Sequence, residues 1–249
     1  IFSQFKKEKG TKNTLTKSPE IHSMPTYTHL NSKDKPIIKS SINGKHIIYT
    51  HTALALIAFI SAGLLAIYLH YQKVVKNAFY SYPNEWFPSV SASIGDHFPE
   101  RNIFQIIIVL CSFPRFLLHL MQFSKAFTSL SVVGFVRTVC CGLFVYITSS
   151  DNHDVHDVGM IGYIVLTIPY YLLNYKSNRS SKKVKKIMHM MFFVTLIPLI
   201  YWYIQHAVKR RAGAYSIYAY FEWSLIIQDI INDHLYADDY KDVDLGISC

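Results

Sequence analysis

The sequence has few cysteines, and it lacks the short motifs that mark common catalytic sites. Three of its 4 Cys lie inside apolar blocks, and the last one ends a polar segment. These positions form neither a disulfide framework nor a zinc-type spacing. There is no GxSxG, P-loop or HExxH motif, so the usual signs of a serine hydrolase, a nucleotide-binding protein or a zinc protease are missing. We therefore expect no cofactor.

Charge is also missing from long stretches of the chain. Three apolar blocks contain no Asp, Glu, Lys or Arg, at residues 52–69, 158–175 and 187–206. Each approaches the ~20 residues that span ~30 Å of hydrocarbon. Three further blocks are apolar apart from isolated charges, at residues 103–123, 126–149 and 212–231. The sequence predicts an all-α, polytopic membrane protein with a six-transmembrane-helix bundle. A large soluble bundle is disfavoured, because the blocks mostly lack polar stripes at helical period.

The distribution of basic residues predicts the orientation in the membrane. The first fifty residues contain nine Lys against three acidic residues, and residues 176–186 contain six basic residues and no acidic one. Because short basic segments stay in the cytosol, both termini are predicted to be cytosolic. The lumenal loops are then 71–102, 150–157 and 207–212. The basic run Lys209–Arg211 is an exception on the lumenal side.

Three regions follow from this organisation. Residues 1–45 are predicted to be a disordered, basic, cytosolic N-terminus. Residues 46–233 form the transmembrane domain, and residues 234–249 are an acidic cytosolic tail. We assign the net charge of +9 to topology and to attraction by anionic lipid. Nucleic acid is not expected as a partner, because aromatic and basic residues are not interleaved.

Charged residues inside predicted spans are candidates for function, since burying a charge in hydrocarbon is costly. Arg115, Arg137 and Glu222 lie at similar predicted depth, and we expect Glu222 to pair with Arg137 or Arg115. Such a pair has two interpretations. It is either a structural contact that fixes helix register or part of a site where Arg binds a lipid phosphate.

The predicted lumenal loops are rich in ionisable groups. Glu85 and Asp96 in the first loop are candidate general bases. His153 and His156 in the second loop are candidate catalytic residues, and with Asp96 they are weak candidates for a metal site. The spacing is not specific, and a solvated polar turn between helices is the simpler interpretation, so no metal is expected.

The first loop also carries a long motif. Residues 82–92 read YPNEWFPSVSA, and they are followed by Ile94–Asp96 and Pro99–Arg101. Together with Asn43–Lys45, Phe113–Phe116 and the segment YSIYAYFEW at residues 215–223, this motif resembles the FRAG/DRAM/SFK family of membrane proteins. The similarity is to post-GPI-attachment-to-proteins factor two and, more strongly, to the N-terminal half of the fungal calcofluor-white-hypersensitive cell-wall biogenesis protein.

The resemblance implies a GPI-anchor lipid-remodelling factor in the endoplasmic reticulum membrane, with the Golgi as the second location. Its implied role is exchange of diacylglycerol for ceramide on GPI-anchored proteins, as needed for cell-wall integrity. The fungal proteins have a further nuclease/phosphatase-like C-terminal half, which implies a lipid-recognising role for this chain. The implied partners are GPI-anchored proteins, ceramide or phospholipid, and that separate half.

The residues expected to contact the anchor or its lipid combine aromatic faces with charge. Aromatic rings stack on sugars, and Arg binds phosphate. These candidates are Trp86, Phe87, Arg101, Arg115, Arg137 and Glu222. Two other functions remain open: a non-enzymatic protein that organises lipid or scaffolds other proteins, and a metal-dependent intramembrane lipid hydrolase.

Overall fold

The computed structural model describes residues 39–125, 128–177 and 182–248, so most of the predicted disordered N-terminus lies outside the described residues. The described chain is nearly all-helical. Its helices are α1 (Gly44–Val74), α2 (Val90–Gly95), α3 (Glu100–Lys125), α4 (Ser129–Tyr146), α5 (His153–Ser177), α6 (Lys182–Ala207), α7 (Ala214–His234) and a 3₁₀ turn (Ala237–Tyr240). Two short strands, β1 (Lys39–Asn43) and β2 (Asp244–Ser248), pair antiparallel.

Five helices of the described chain are long and apolar enough to cross a membrane, namely α1, α3, α4, α5 and α6. This confirms the prediction of a helical protein with several membrane spans. The sixth predicted span corresponds to the helix α7, which is not among these five and which carries Glu222, Asp229 and Asp233. The long helices pack in three main pairs, α1 with α3, α4 with α5 and α6 with α7.

The longest helix, α1, has the length and the distribution of small and large apolar side chains that suit a membrane-spanning helix. Its 31 residues extend over about 46 Å, so it continues beyond the predicted span at both ends. The Asn43 side chain caps it by accepting from the Lys45 N–H at 3.0 Å. Small side chains on one face are buried and let α3 and α7 approach closely; they are Ala55, Ala58, Ala62 and Ala66. Large apolar side chains remain exposed on the other face, among them Ile57, Ile60, Leu64 and Tyr68.

The two ends of the described chain meet in the β1–β2 ladder, and we call this side of the bundle the ladder end. Strand residues pair from Lys39 with Ser248 to Asn43 with Asp244. The Asn43 side chain also donates to the Lys241 carbonyl at 2.6 Å. An added Cβ on Gly44 would lie 3.0 Å from the Tyr240 carbonyl oxygen and 2.5 Å from the end of the flexible Met121 side chain, so the chain crosses closely here. The structure thus differs from the predicted disorder up to residue 45.

The predicted acidic tail is also folded onto the bundle rather than free. Lys185 of α6 is buried and forms an ion pair with Asp239. Its ammonium group lies 4.7 Å from the centre of the Tyr236 ring. Tyr236 and Tyr240 are buried against Ile47 in one apolar cluster.

Two ion pairs connect α7 to α3 and α4. Arg115 pairs with Asp233, and Arg137 pairs with Asp229. Arg137 is fully buried, and Tyr163 and Tyr171 also donate to Asp229. The prediction that Glu222 pairs with either arginine is therefore wrong. Counting from the ends of the apolar blocks places Glu222 at the depth of the two arginines, but their acidic partners Asp229 and Asp233 lie about two and three turns further along α7.

We predict that Arg137→Met destabilises the protein strongly, because it leaves the buried Asp229 carboxylate without its cation. Loss of one partner of a buried pair costs about 3–5 kcal/mol. The double variant Arg137→Met/Asp229→Asn should recover most of this loss, since Asn still accepts from the two tyrosines. Thermal unfolding of the detergent-solubilised protein measures both effects.

The matched control is Arg101→Met, which breaks an exposed pair. Arg101 lies 2.5 Å from Asp151, and both side chains are partly exposed. Such pairs contribute ~0–1 kcal/mol. Equal melting temperatures for Arg137→Met and Arg101→Met would contradict the structural role of the buried pair.

Candidate functional site

The connections 75–99, 147–152 and 208–213 lie together at one end of the bundle, which we call the loop end. There the first connection lies along α7. The N–H groups of Trp86 and Phe87 donate to Ser216 Oγ at 2.7 and 3.0 Å. The Trp223 indole donates to the Pro88 carbonyl at 3.1 Å. The conspicuous sequence motif is thus a segment held in a fixed conformation by one helix.

Glu85 is the central side chain of this attachment. It is fully buried, and it accepts from the N–H groups of Gly213 at 3.1 Å and Ser216 at 2.9 Å. The Ser216 hydroxyl and the Asn77 amide also donate to it. A carboxylate at a helix N-terminus satisfies free N–H groups and is favoured by the helix dipole. The candidate general base Glu85 is therefore occupied as a cap of α7.

Glu222 has the reciprocal role. It projects from α7 and accepts from the Val90 N–H at the start of α2 at 2.9 Å. The Ser89 side chain completes that cap by accepting from the Ala92 N–H at 3.1 Å. The first connection thus caps α7 through Glu85, while α7 caps α2 through Glu222. Glu222 contacts backbone N–H groups rather than an arginine.

A chamber of about 610 Å³ lies inside the bundle. All seven α-helices contribute to its wall, which is mostly apolar; examples are Ala55, Ile108, Val139, Ile164, Leu196 and Ile226. Polar groups cluster towards its two ends. Ser91, Asp157 and Glu222 line it near the loop end, and Arg115 and Asp233 line it nearer the ladder end.

The chamber reaches the outer surface of the bundle at side chains of α5 and α6, and also of α3 and α4, where Phe116 and Val139 are 49% and 47% exposed. Ile161 and Val165 on α5 line the chamber and are more than half exposed. Ile200 and Tyr203 on α6 do the same and are 49% and 40% exposed. An apolar chamber with a side opening of this kind is suited to a hydrocarbon chain that enters from a bilayer.

A second, polar cleft of about 770 Å³ lies on the loop end. Its wall contains Lys73 in the last turn of α1 and Lys76 just after that helix, and also Asp96 and His97, which follow α2. The short helix α2 separates the two spaces, since Val90, Ser91 and Ile94 face the chamber. The polar cleft and the apolar chamber are thus separated only by α2, a helix of about one and a half turns.

Asp96 and His97 both have shifted ionisation in the cleft. Loss of water around its carboxyl raises the pKa of Asp96 to about 6, and the positive charge of Arg101 opposes this shift. Burial and the neighbouring His70 lower the pKa of His97. The His70 and His97 rings lie 4.8 Å apart. The charge of this wall therefore changes close to pH 6.

The predicted histidines of the second loop have different surroundings. His153 is exposed and lies 3.5 Å from Asp157, one turn further along α5. His156 is buried, with Nε2 2.9 Å from Ser91 Oγ and Nδ1 3.0 Å from the Ile147 carbonyl oxygen. Within residues 39–125, 128–177 and 182–248, no group of three His, Cys, Asp or Glu is arranged to hold a metal ion. The structure does not assemble His153, His156 and Asp96 as ligands.

The other candidates are distributed over the loop end and the interior. Trp86 is 49% exposed, and its carbonyl accepts from the Tyr71 hydroxyl at 2.9 Å. Phe87 lies beside it, with ring centres 6.1 Å apart. Arg101 is occupied by Asp151, whose pKa is lowered by hydrogen bonding to Thr148 and Arg101. Arg210 lies over the Phe79 ring at 4.6 Å.

Sequence reasoning missed Ser91 and the two lysines of the cleft. Ser91 lies inside the recognised motif, but its partner His156 is 65 residues away in the chain. A serine in a polar loop gives no local signal of such a contact. Lys73 and Lys76 are visible in the sequence only as charges at the end of the first apolar block.

Comparison with known proteins assigns this helical membrane domain to a family. Residues 43–243 match the Frag1/DRAM/Sfk1/Cwh43P N-terminal domain. The chain belongs to this family. No solved structure matches it significantly.

Individual relatives agree with the family. The chain is 44% identical over 208 residues to Protein cwh43 of Schizosaccharomyces pombe, covering 80% of the chain and 21% of that protein. It is 27% identical to Acyltransferase PGAP2 of Xenopus tropicalis, covering 59% of the chain and 68% of that protein. It is 24% identical to Post-GPI attachment to proteins factor 2 of Caenorhabditis briggsae, covering 76% of the chain and 82% of that protein. The chain thus spans about a fifth of the yeast relative.

We predict that Glu85→Ala lowers stability, because two N–H groups of α7 and the Ser216 hydroxyl lose a buried charged acceptor. Each hydrogen bond to a charged group contributes ~1.5–3 kcal/mol, so the loss should reach at least about 3 kcal/mol. Thermal unfolding measures it. Asp242→Ala, at an exposed carboxylate, is the control. A melting temperature for Glu85→Ala equal to that of the control would show that the cap is dispensable.

Proposed function

We propose that this chain is the lipid-recognising part of a GPI-anchor lipid-remodelling protein of the endoplasmic reticulum membrane. Family membership supports the general role, since relatives carry the names Acyltransferase PGAP2 and Post-GPI attachment to proteins factor 2. In this proposal the exchange of diacylglycerol for ceramide supports cell-wall integrity. In this proposal the chain acts together with the nuclease/phosphatase-like half that the family resemblance implies.

The adjoining chamber and cleft are the observation that carries the proposal. A GPI anchor joins hydrocarbon chains to a phosphate and a glycan. The apolar chamber of about 610 Å³ suits a hydrocarbon chain that enters between α5 and α6. The polar cleft of about 770 Å³ offers Lys73 and Lys76 to phosphate. Its position just across α2 matches the short distance between head group and tails.

The proposed orientation in the membrane is based on the distribution of Lys and Arg, which predicts that both termini are cytosolic. All six long helices cross the membrane in this proposal, with the loop end lumenal and the ladder end cytosolic. The GPI glycan is lumenal, so it meets the loop end, where the exposed Trp86 ring is available for stacking on a sugar. The buried Arg115 and Arg137 are paired with aspartates, so we assign phosphate contact to the lysines of the cleft.

We predict that Gly142→Phe reduces lipid binding by filling the chamber. Gly142 lines the chamber, and an added Cβ meets only Tyr146, at 4.0 Å. The new ring therefore extends into free space without straining the helix. Lipid that copurifies with the protein in nanodiscs, measured by mass spectrometry, should fall severalfold.

The matched control is Val136→Phe, which adds a ring to the exposed outer face of the same helix. It should retain lipid at the level of the unmodified chain. Equal retention by Gly142→Phe and Val136→Phe would argue that the chamber does not hold lipid.

Cellular remodelling tests the wider role. The chain is expressed in a fungal strain lacking the full-length relative, with and without the C-terminal half, and the lipid on GPI-anchored proteins is measured by mass spectrometry. We expect ceramide to return when both halves are present and to be reduced by Gly142→Phe. Unchanged anchor lipid with both halves present would refute the role.

A further inference from the structure

We propose that Ser91 is a nucleophile that His156 activates for fatty-acyl transfer from an ester lipid. The inference rests on the proposed function in one respect, namely that the chamber holds a lipid chain. It adds a chemical step to a part of the protein assigned so far to recognition. The chemical class of the donor is a glycerolipid ester, and that of the acceptor is a lipid hydroxyl.

The hydrogen bonds of His156 define the direction of proton transfer. A carbonyl oxygen only accepts, so the contact of 3.0 Å with Ile147 requires a proton on Nδ1. In the neutral ring Nε2 then has a free lone pair. Ser91 Oγ lies 2.9 Å from Nε2 and donates its proton to it. This is the arrangement of a nucleophile, a base and a group that orients the base.

Packing fixes both members of the pair. His156 is 3% exposed, and the Phe144 ring lies edge-on to it at 6.1 Å and 90°. Ile147, its carbonyl partner, ends α4 in an extended conformation. Ser91 lies in the first turn of α2, which Ser89 caps and Glu222 attaches to α7. Three elements of the fold therefore position one hydroxyl and one imidazole.

The location distinguishes this pair from a simple contact between helices. Ser91 lines the apolar chamber, while the polar cleft begins at Asp96, the residue that follows this short helix. The ester carbonyl of a lipid lies at the junction of its tails and head group. Ser91 thus lies at the level where such a carbonyl would be. By contrast, Ser93 and Ser112 donate to the backbone carbonyls of residues 89 and 108.

The chemistry balances without a further reagent. Ser91 Oγ attacks the ester carbonyl carbon, and His156 Nε2 takes the hydroxyl proton. The bond from that carbon to the glycerol oxygen breaks, and His156 returns the proton to the departing oxygen, which leaves an acyl ester on Ser91. An acceptor hydroxyl then attacks this ester with His156 as base. Ser91 regains its proton, and one acyl group has moved between two hydroxyl groups.

The test uses a long-chain alkyl fluorophosphonate, which reacts with activated serine hydroxyls, on the full chain in nanodiscs. We expect phosphonylation of Ser91, located by peptide mass spectrometry. Ser91→Ala should abolish the labelling, and His156→Gln should slow it by at least about 100-fold, since a general base contributes 10²–10⁴. Ser93→Ala, two residues along the same helix, should label at the unmodified rate.

A second readout separates chemistry from folding. Ser91→Cys keeps a nucleophile beside His156. We expect this variant to have the melting temperature of the unmodified chain and to react with a long-chain alkyl iodoacetamide. His156→Gln combined with Ser91→Cys should lose most of that reactivity. Unlabelled Ser91 in a folded, lipid-retaining chain would overturn the proposal, as would equal reaction rates with and without His156.

The two proposals fail separately. Labelled Ser91 with unchanged anchor lipids in the fungal strain would support the nucleophile and refute the GPI role. Loss of lipid in Gly142→Phe, together with no labelling of Ser91 in the unmodified chain, would support lipid binding and refute the nucleophile.

Discussion

The structure depends on a helix that carries three buried carboxylates in a largely apolar bundle. Burying a charge is costly unless it is paired or hydrogen-bonded, and each carboxylate of α7 meets this requirement with a different element. Glu222 binds the start of α2, Asp229 binds Arg137 of α4, and Asp233 binds Arg115 of α3. Helices that make few contacts with one another are thereby held by the same helix. Glu85 extends this arrangement to the N-terminus of α7.

This mode of attachment explains how a bundle can contain a large chamber. Apolar helices in a bilayer gain little from hydrophobic contact with one another, because lipid tails are equally apolar. Polar contacts with α7 hold the helix pairs at fixed positions without requiring that every gap be filled. The α5–α6 interface is accordingly slight, and the chamber reaches the surface there. Stability and an accessible interior thus come from the same residues.

The sequence predicts the helices well and their partners poorly, for a physical reason. Charge-free blocks locate the spans because hydrocarbon excludes charge. Residue counting also associates Glu222 with Arg115 and Arg137, but the residues that pair with the two arginines lie about two and three turns away from Glu222. Pairing depends on helix rotation and tilt, which counting does not give, so Asp229 and Asp233 were not identified as the partners. The Ser91–His156 contact is not predicted because it joins α2 and α5, two helices that are 65 residues apart at this point of the chain.

The ladder between β1 and β2 has a consequence for the number of membrane crossings. Lys39 and Ser248 are paired neighbours, so the chain enters and leaves the described domain on the same side of any membrane. A path that returns to the side from which it started crosses an even number of times. Five candidate spans are an odd number. The six crossings of the proposed orientation meet this condition, and in that proposal the acidic residues of α7 are surrounded by protein rather than lipid.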